Sequence, residues 1–245
     1  MLKHRCSYCK KQFTSRSSLR KYCSLTCSNR ANRNNSKSVS LPKSKSAELA
    51  ELFGILLGDG SVAQYYSRIY LNRIADAEYW PYVRDLCIRL FPGATVSAID
   101  RPKRGTREIQ ISSKSVSTYL VKCGFDPKIR SVPNWISSNK GKSKRCIRGL
   151  VDTEGTVGIK RYTGVQREHI YAQLTFTNKN KNLLSFIESK LMQFGYSPTR
   201  NSRKNIYISN ARDIQRYMLE IGSSNPKFAK KLALRGATRR GARAV

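Results

Sequence analysis

Residues 53–62, FGILLGDGSV, are answered at 148–157 by RGLVDTEGTV, and this internal repeat constrains the fold more than any other feature. A longer pair of segments, Ile109–Lys128 and Ile206–Lys227, recurs at nearly the same interval. Each runs from a β-type stretch through a polar loop into a helical pattern, then Gly, then Pro-Lys. The interval from Asp59 to Glu154 is 95 residues, which leaves room in each copy for a small unit of several elements.

The patterns between these landmarks agree with that reading. Val83, Leu86, Cys87 and Leu90 share one face of a helix expected over Tyr79–Phe91, as do Leu184, Ile187, Leu191 and Phe194 over Leu183–Phe194. Ile69–Leu71, Thr95–Ile99, Ala172–Thr177 and Asn205–Ser209 alternate as strands do. Each copy is expected to run α-β-β-α-β-β-α, so the chain is of the α/β (α+β) class with two pseudo-symmetric units. The expected organisation is a cysteine-rich extension at 1–35, a basic linker at 36–46, repeat 1 at 47–141, repeat 2 at 142–235 and a basic tail at 236–245.

The repeated nonapeptides Leu52–Gly60 and Ile147–Gly155 carry the chemistry. Gly54 and Gly58 lie four apart, and Gly149 and Thr153 match them; small residues at that spacing let two helices approach closely. Gly60 and Gly155 follow as helix C-terminal residues that can take positive φ. Asp59 and Glu154 then occupy the last turns, facing the negative end of the macrodipole and each other. A divalent cation between them would relieve both repulsions, and carboxylates with backbone oxygens suit Mg²⁺.

These two segments resemble the signature helices of the LAGLIDADG homing endonucleases, and the resemblance spans residues 47–235, including Val132–Ile136 (VPNWI) before the second helix. It implies a DNA-binding saddle and a site-specific double-strand endonuclease that leaves short 3′ overhangs at a long asymmetric target. One acid per repeat, Asp59 and Glu154, would hold Mg²⁺ or Mn²⁺, with the backbone of Gly58 and Thr153 as further ligands. Lys128 and Lys227, each after a Pro, are the expected catalytic cations, and Arg130 is a further candidate. Asp152 matches an acidic motif position that is Leu57 in the first copy, so it is read as structural.

Charge points the same way. Lys and Arg number 47 against 15 Asp and Glu, a net +32, which calls for a polyanionic partner. The expected DNA contacts are Gln64, Tyr66, Arg68, Tyr70, Asn72, Arg101, Lys103, Arg104, Arg107 and Gln110 in the first copy. In the second they are Lys160, Arg161, Gln166, Arg167, Gln173, Thr175, Arg200, Asn201, Arg203 and Lys204. Two repeats in one chain make a monomer the expected state. An intron RNA maturase or a DNA-binding regulator on the same body is the alternative. Without an apolar leader or a spanning segment, an intracellular protein of cytoplasm or nucleoid is expected, neither secreted nor membrane-bound. The Met start and the Arg-Ala-Val end, without a splice junction, suggest a free-standing or intron-encoded protein rather than an intein.

Cys6, Cys9, Cys23 and Cys27 have the spacing of a four-thiolate Zn²⁺ knuckle. So short a stretch lacks the apolar area to fold unaided, which makes the metal its expected staple. Cys87, Cys123 and Cys146 read as buried core thiols. The two histidines, His4 and His169, form no nucleophile triad, and no phosphate-binding GxxxxGK[ST] loop is present.

Overall fold

The computed structural model describes residues 1–35, 38–163, 168–200 and 204–241. The chain divides into two compact units, Met1–Ser38 and Val39–Val245. The first is a hairpin of β1 (Leu2–Arg5) and β2 (Gln12–Ser15) with helix α1 (Leu25–Asn35).

The second unit holds both repeats. Repeat 1 runs α2 (Ala47–Asp59), β3 (Gly60–Val62), β4 (Ser67–Asn72), α3 (Trp80–Leu90), β5 (Thr95–Arg101), β6 (Thr106–Ser112) and α4 (Lys114–Lys122). A short helix α5 (Asn134–Ser137) leads into repeat 2. There the order is α6 (Lys140–Glu154), β7 (Gly155–Thr163), β8 (Glu168–Thr177), α7 (Lys181–Gln193), β9 (Thr199–Arg200), β10 (Asn205–Ile208) and α8 (Ala211–Glu220), followed by α9 (Pro226–Gly241). The expected α-β-β-α-β-β-α order is present twice. Both sheets are antiparallel with the same strand order, β3-β4-β6-β5 and β7-β8-β10-β9. Among the described residues no helix is long and apolar enough to cross a membrane.

Helices α2 and α6, which hold the repeated nonapeptides, start where polar side chains accept orphan N–H groups: Ser46 from Leu49, and Asn139 from Lys142. They cross at their glycines. A Cβ on Gly54 would lie 2.2 Å from the Cys146 carbonyl oxygen, and one on Gly149 would lie 2.3 Å from that of Glu51. Each backbone thus occupies the space of the other's missing side chain. Gly54→Ala or Gly149→Ala is expected to cost about 3 kcal/mol or more, because rigid main chain must move. Gly141→Ala, where the nearest atom stands 3.5 Å away, is expected to be neutral or stabilising. Thermal melting of the three variants checks this; equal effects would place the close crossing elsewhere.

Gly60 and Gly155 do not use the positive φ that is open to glycine. Their φ values are −116° and −92°, ordinary extended backbone. Glycine is needed there for space: a Cβ would meet the Leu56 Cα at 2.5 Å and the Val151 carbonyl oxygen at 2.4 Å. The strand leaves each helix so sharply that it folds back on the last turn.

A buried polar network joins the helix pair to the loop after α8. Glu51, fully buried, accepts from Tyr82 Oη at 2.6 Å, Ser224 Oγ at 2.8 Å and Arg145 Nη1 at 2.9 Å. Asp152, also buried, accepts from Ser223 Oγ and from the Ser224 N–H at 2.8 Å. Burial pushes the Asp152 carboxyl up to about 7, against the pull of those donors. Its oxygens hold the 223–225 loop, which is a structural task.

Residues 39–46, expected as linker, are fastened to repeat 1. The Ser40 N–H donates to the Pro92 carbonyl at 2.8 Å, Tyr119 Oη donates to the Pro42 carbonyl at 3.1 Å, and Lys45 stands over the Trp135 ring. Cys87 and Cys146 are fully buried and Cys123 nearly so.

Candidate active site and nucleic-acid interface

Asp59 and Glu154 end α2 and α6, where the two helices are in contact. A Cβ on Gly58 would lie 2.3 Å from Thr153 Oγ1 and 3.2 Å from Glu154 Cγ. The main chain of Gly58 and Thr153 therefore lies beside the acids. Thr153 Oγ1 donates back to the Gly149 and Leu150 carbonyls of its own helix. Glu154 Oε1 accepts from Asn178 Nδ2 at 3.0 Å, just past the end of β8.

Both carboxyls are hard to ionise. Burial pushes Asp59 from the ordinary 3.8 to about 6; Asp76 adds to this, while Lys227 and Arg130 oppose it. Burial likewise pushes Glu154 from 4.5 to about 7, helped by the charge of Asp59 and opposed by Arg130. Because the folded values lie above the unfolded ones, ionisation costs the fold nothing below about pH 4. The cost grows through pH 6–7 and is complete above that. After discounting for partial exposure it amounts to about 1–2 kcal/mol per acid. Without added Mg²⁺, Asp59→Asn is expected to melt above the parent at pH 8, with the difference vanishing near pH 4. A lower melting point at pH 8 would contradict this electrostatic account.

The cations are unequally placed. Lys227 Nζ bonds to buried Asp76 at 3.0 Å, and Asn225 Nδ2 donates to the same oxygen at 2.8 Å. Lys128 is exposed, and its N–H donates to Asp126 Oδ1 at 2.7 Å; it is not among the charges acting on either acid. Arg130 acts on both. It holds a left-handed backbone at φ 49°, and its Nη2 donates to the carbonyls of Leu56 and Gly60 at the end of α2. Asn180 Nδ2 clasps the Ile129 and Arg130 carbonyls at 3.1 Å each. Asp76, Asn178 and Asn180 carry no motif signal, because each arrives from a loop.

Strand register decides which expected DNA contacts face away from the core. In sheet 1, Ile69, Ile109 and Ile111 are buried, so Arg68, Tyr70, Glu108 and Gln110 occupy the opposite face, with Arg101. Lys103 and Arg104 sit on the turn beside it, Gln64 is exposed in the β3–β4 turn, and Asn72 Oδ1 accepts the Ile74 and Ala75 N–H groups. Arg107 is a correction. It has the parity of Ile109, stands over the Trp80 ring of α3 at 4.6 Å, and is paired through two bonds with Asp100. In sheet 2, Lys160 and Gln173 share the outer face with Tyr171, Thr175 and Tyr207, the two tyrosines being additions. Arg200 is the second correction: it is aligned with buried Ile206, and its Nη1 binds Glu188 of α7 at 2.9 Å. Arg161 has the parity of Val157, again the core side. Lys204 precedes β10, and its carbonyl accepts the Asn178 N–H. Gln166, Arg167, Asn201 and Arg203 lie outside the described residues, as does the His169 side chain.

In the first unit the sulfurs of Cys6, Cys9, Cys23 and Cys27 all lie within 4.8 Å of one another. Cys9 Sγ is 3.6 Å and Cys27 Sγ 3.5 Å from Cys23 Sγ. Four thiolates around zinc at about 2.3 Å stand roughly 3.8 Å apart, so the cluster fits a zinc knuckle. Burial opposes ionisation of Cys6, but backbone N–H groups of Cys23, Cys9 and Tyr8 outweigh it and draw the thiol down to about 6. At Cys6 that favours the thiolate a metal needs, whereas hydrogen bonds with the Cys27 and Cys9 thiols push Cys23 up to about 12.

Residues 142–222 match the family model described as LAGLIDADG-like domain. No curated protein sequence matches the chain. Among solved structures, the homing endonuclease I-DmoI in complex with DNA and Mn is similar with TM-score 0.51 and 18% identity, over 74% of this chain and 98% of that one. I-DmoI in complex with DNA and Ca gives 0.51 and 18% over 78% and 97%. The I-LtrWI LAGLIDADG homing endonuclease bound to target DNA gives 0.51 and 10% over 81% and 92%. At such identities the likeness is one of fold. The chain thus carries a LAGLIDADG-like domain at residues 142–222, and its two repeats together build the two-domain LAGLIDADG fold.

Proposed function

We propose that this protein is a divalent-cation-dependent, site-specific DNA endonuclease acting as a monomer on a long asymmetric duplex. The observation that carries the reading is the meeting of Asp59 and Glu154, one from each repeat, at the abutting ends of α2 and α6. Two half-buried acids whose ionisation is disfavoured by burial and by a neighbouring carboxylate, Asp76 for Asp59 and Asp59 for Glu154, suit a shared cation site, and they serve no evident packing purpose. Asp59 and Glu154 would hold Mg²⁺ or Mn²⁺, beside the main chain of Gly58 and Thr153. When bound, such a cation supplies charge neutralisation at the scissile phosphate and activation of the attacking water. The chain's own residues do the rest. Asn178 orients Glu154, Arg130 offsets negative charge at both acids, and Lys227 does so at Asp59. The outer faces of both sheets, rich in Arg, Lys, Gln and Tyr, position the duplex through phosphates and base edges. The I-DmoI and I-LtrWI complexes with DNA support a DNA partner, and those of I-DmoI with Mn and Ca support a divalent cation.

The test is a supercoiled plasmid carrying the uninterrupted insertion locus of the gene. Linear product with short 3′ overhangs in Mg²⁺, and none without it, is expected. Tight binding with no nicking in Mg²⁺ or Mn²⁺ would move the protein to the binding-only reading.

A further inference from the structure

Glu108 places a carboxylate in the middle of the outer face of sheet 1, where a bound polyanion would repel it. Its side chain is 2% exposed, and it lines a cavity of about 710 Å³ with Arg68, Arg101, Lys103 and Arg104. Arg101 Nε donates to its Oε1 at 3.3 Å, while Arg68 Nη1 stands 3.9 Å from Oε2. That second oxygen is buried without a hydrogen-bond partner, an arrangement that costs stability. The fold does not require an acid here. The same register position in sheet 2 is Asn205, which accepts from Thr177 Oγ1 at 2.8 Å.

What the acid does is hold arginines. Arg68 is drawn toward Glu108 by an ion pair at 3.9 Å, and held by a 2.7 Å bond from Nε to Gln110 Oε1 and by stacking over Tyr66 at 4.3 Å. A guanidinium has five N–H donors, so both arginines keep donors for a base edge after these bonds. An arginine on a loose stem settles on phosphate, whereas one held at fixed reach can present its fork to O6 and N7 of guanine.

We propose that Glu108 is a specificity-determining positioning residue that sets Arg68 and Arg101 as a pair of guanine readers in one half of the target. This rests on the duplex-DNA reading above, and the experiment separates the two. Full-length protein loaded with zinc, with Ca²⁺ replacing Mg²⁺, selects from a pool of random duplex DNA. The parent should enrich a consensus with guanines at neighbouring positions of one half. Glu108→Gln should keep the rest of the consensus and lose about tenfold in guanine preference at those positions. Binding to unrelated DNA should stay equal or tighten, since a negative charge is gone. Arg68→Gln and Arg101→Gln, at partly exposed positions, should lose the same base pairs, and they decide the matter if Glu108→Gln does not fold. An unchanged consensus in Glu108→Gln, a uniform loss across all positions, or losses in the arginine variants at unrelated base pairs overturns the inference alone. A parent that enriches no consensus overturns the target-site reading and this inference with it.

Discussion

Asp59→Asn and Glu154→Gln are each expected to lower Mg²⁺-dependent cleavage by at least about a thousandfold while leaving fold and specific binding in place. The two acids come from different repeats, so if they share a cation site each substitution removes a ligand that the other acid cannot replace. Losing one negative charge next to a bound duplex also removes a repulsion, so affinity without metal should hold or rise. Asp152→Asn makes the contrast. Its side chain accepts from Ser223 and Ser224 rather than facing the two acids, so it should cost about 1–3 kcal/mol of stability and less than about tenfold in cleavage. One supercoiled target, with nicked and linear products followed for all three variants, gives the answer. Nicking that persists in one acid variant would show that each acid serves its own strand. Full activity in both would remove the endonuclease mechanism.

The order of elements is legible in the sequence because local signals agree with one another. Small residues four apart, an acid at a helix end and a glycine after it need no partner to be read. The strands announce themselves by alternation. The departures share a cause. Charge alone puts Arg107 and Arg200 on the DNA face, although period-two spacing from Ile109 and the alignment with Ile206 put them on the core side. Alternation by itself corrects Arg107. At Gly60 and Gly155 the motif suggests a backbone angle, whereas the actual demand is space against Leu56 and Val151. That demand depends on how sharply the strand turns, which is set by the sheet.

Other parts of the site have no sequence signal. Arg130 reaches the end of α2 from a loop 70 residues beyond Gly60, and Asn180 clasps that loop from the other repeat. Glu51 and Ser224 are 173 residues apart, yet their bond joins α2 to the loop that leads into α9, where Lys227 sits. Interactions of this kind arise only once both repeats have folded on each other. They also break the internal symmetry: Glu51 answers to Cys146 and Asp152 to Leu57 in the repeat. The two halves are therefore equivalent in architecture and different in charge around each acid.

If the four cysteines hold zinc, as their spacing allows, removing the metal is expected to have the largest structural effect and to confine it to the first unit. In residues 1–31 the buried side chains are Cys6, Ser15 and Ala31, far too little apolar area to order a chain of this length. Structural zinc sites of this type contribute on the order of 10 kcal/mol at neutral pH. Chelation, or Cys23→Ser, should therefore abolish amide protection in the Leu2–Arg5 and Gln12–Ser15 hairpin. The helix pair of the second unit, with its own core, should melt as before. Residues 1–38 carry ten Lys and Arg and no acid, so unfolding them should also change DNA binding. The slope of log affinity against log salt becomes shallower by about 0.9 for every phosphate that the protein ceases to neutralise. If the unfolded knuckle releases about three phosphates, the slope should fall by roughly 2.7. A chain starting at Ala47 should show the same shallower slope and still cleave at low salt when protein is saturating. Hairpin amides that stay protected after chelation would mean that the four cysteines fold the knuckle without a metal. Loss of cleavage at saturating protein would mean that the knuckle or the 39–46 segment belongs to the catalytic body.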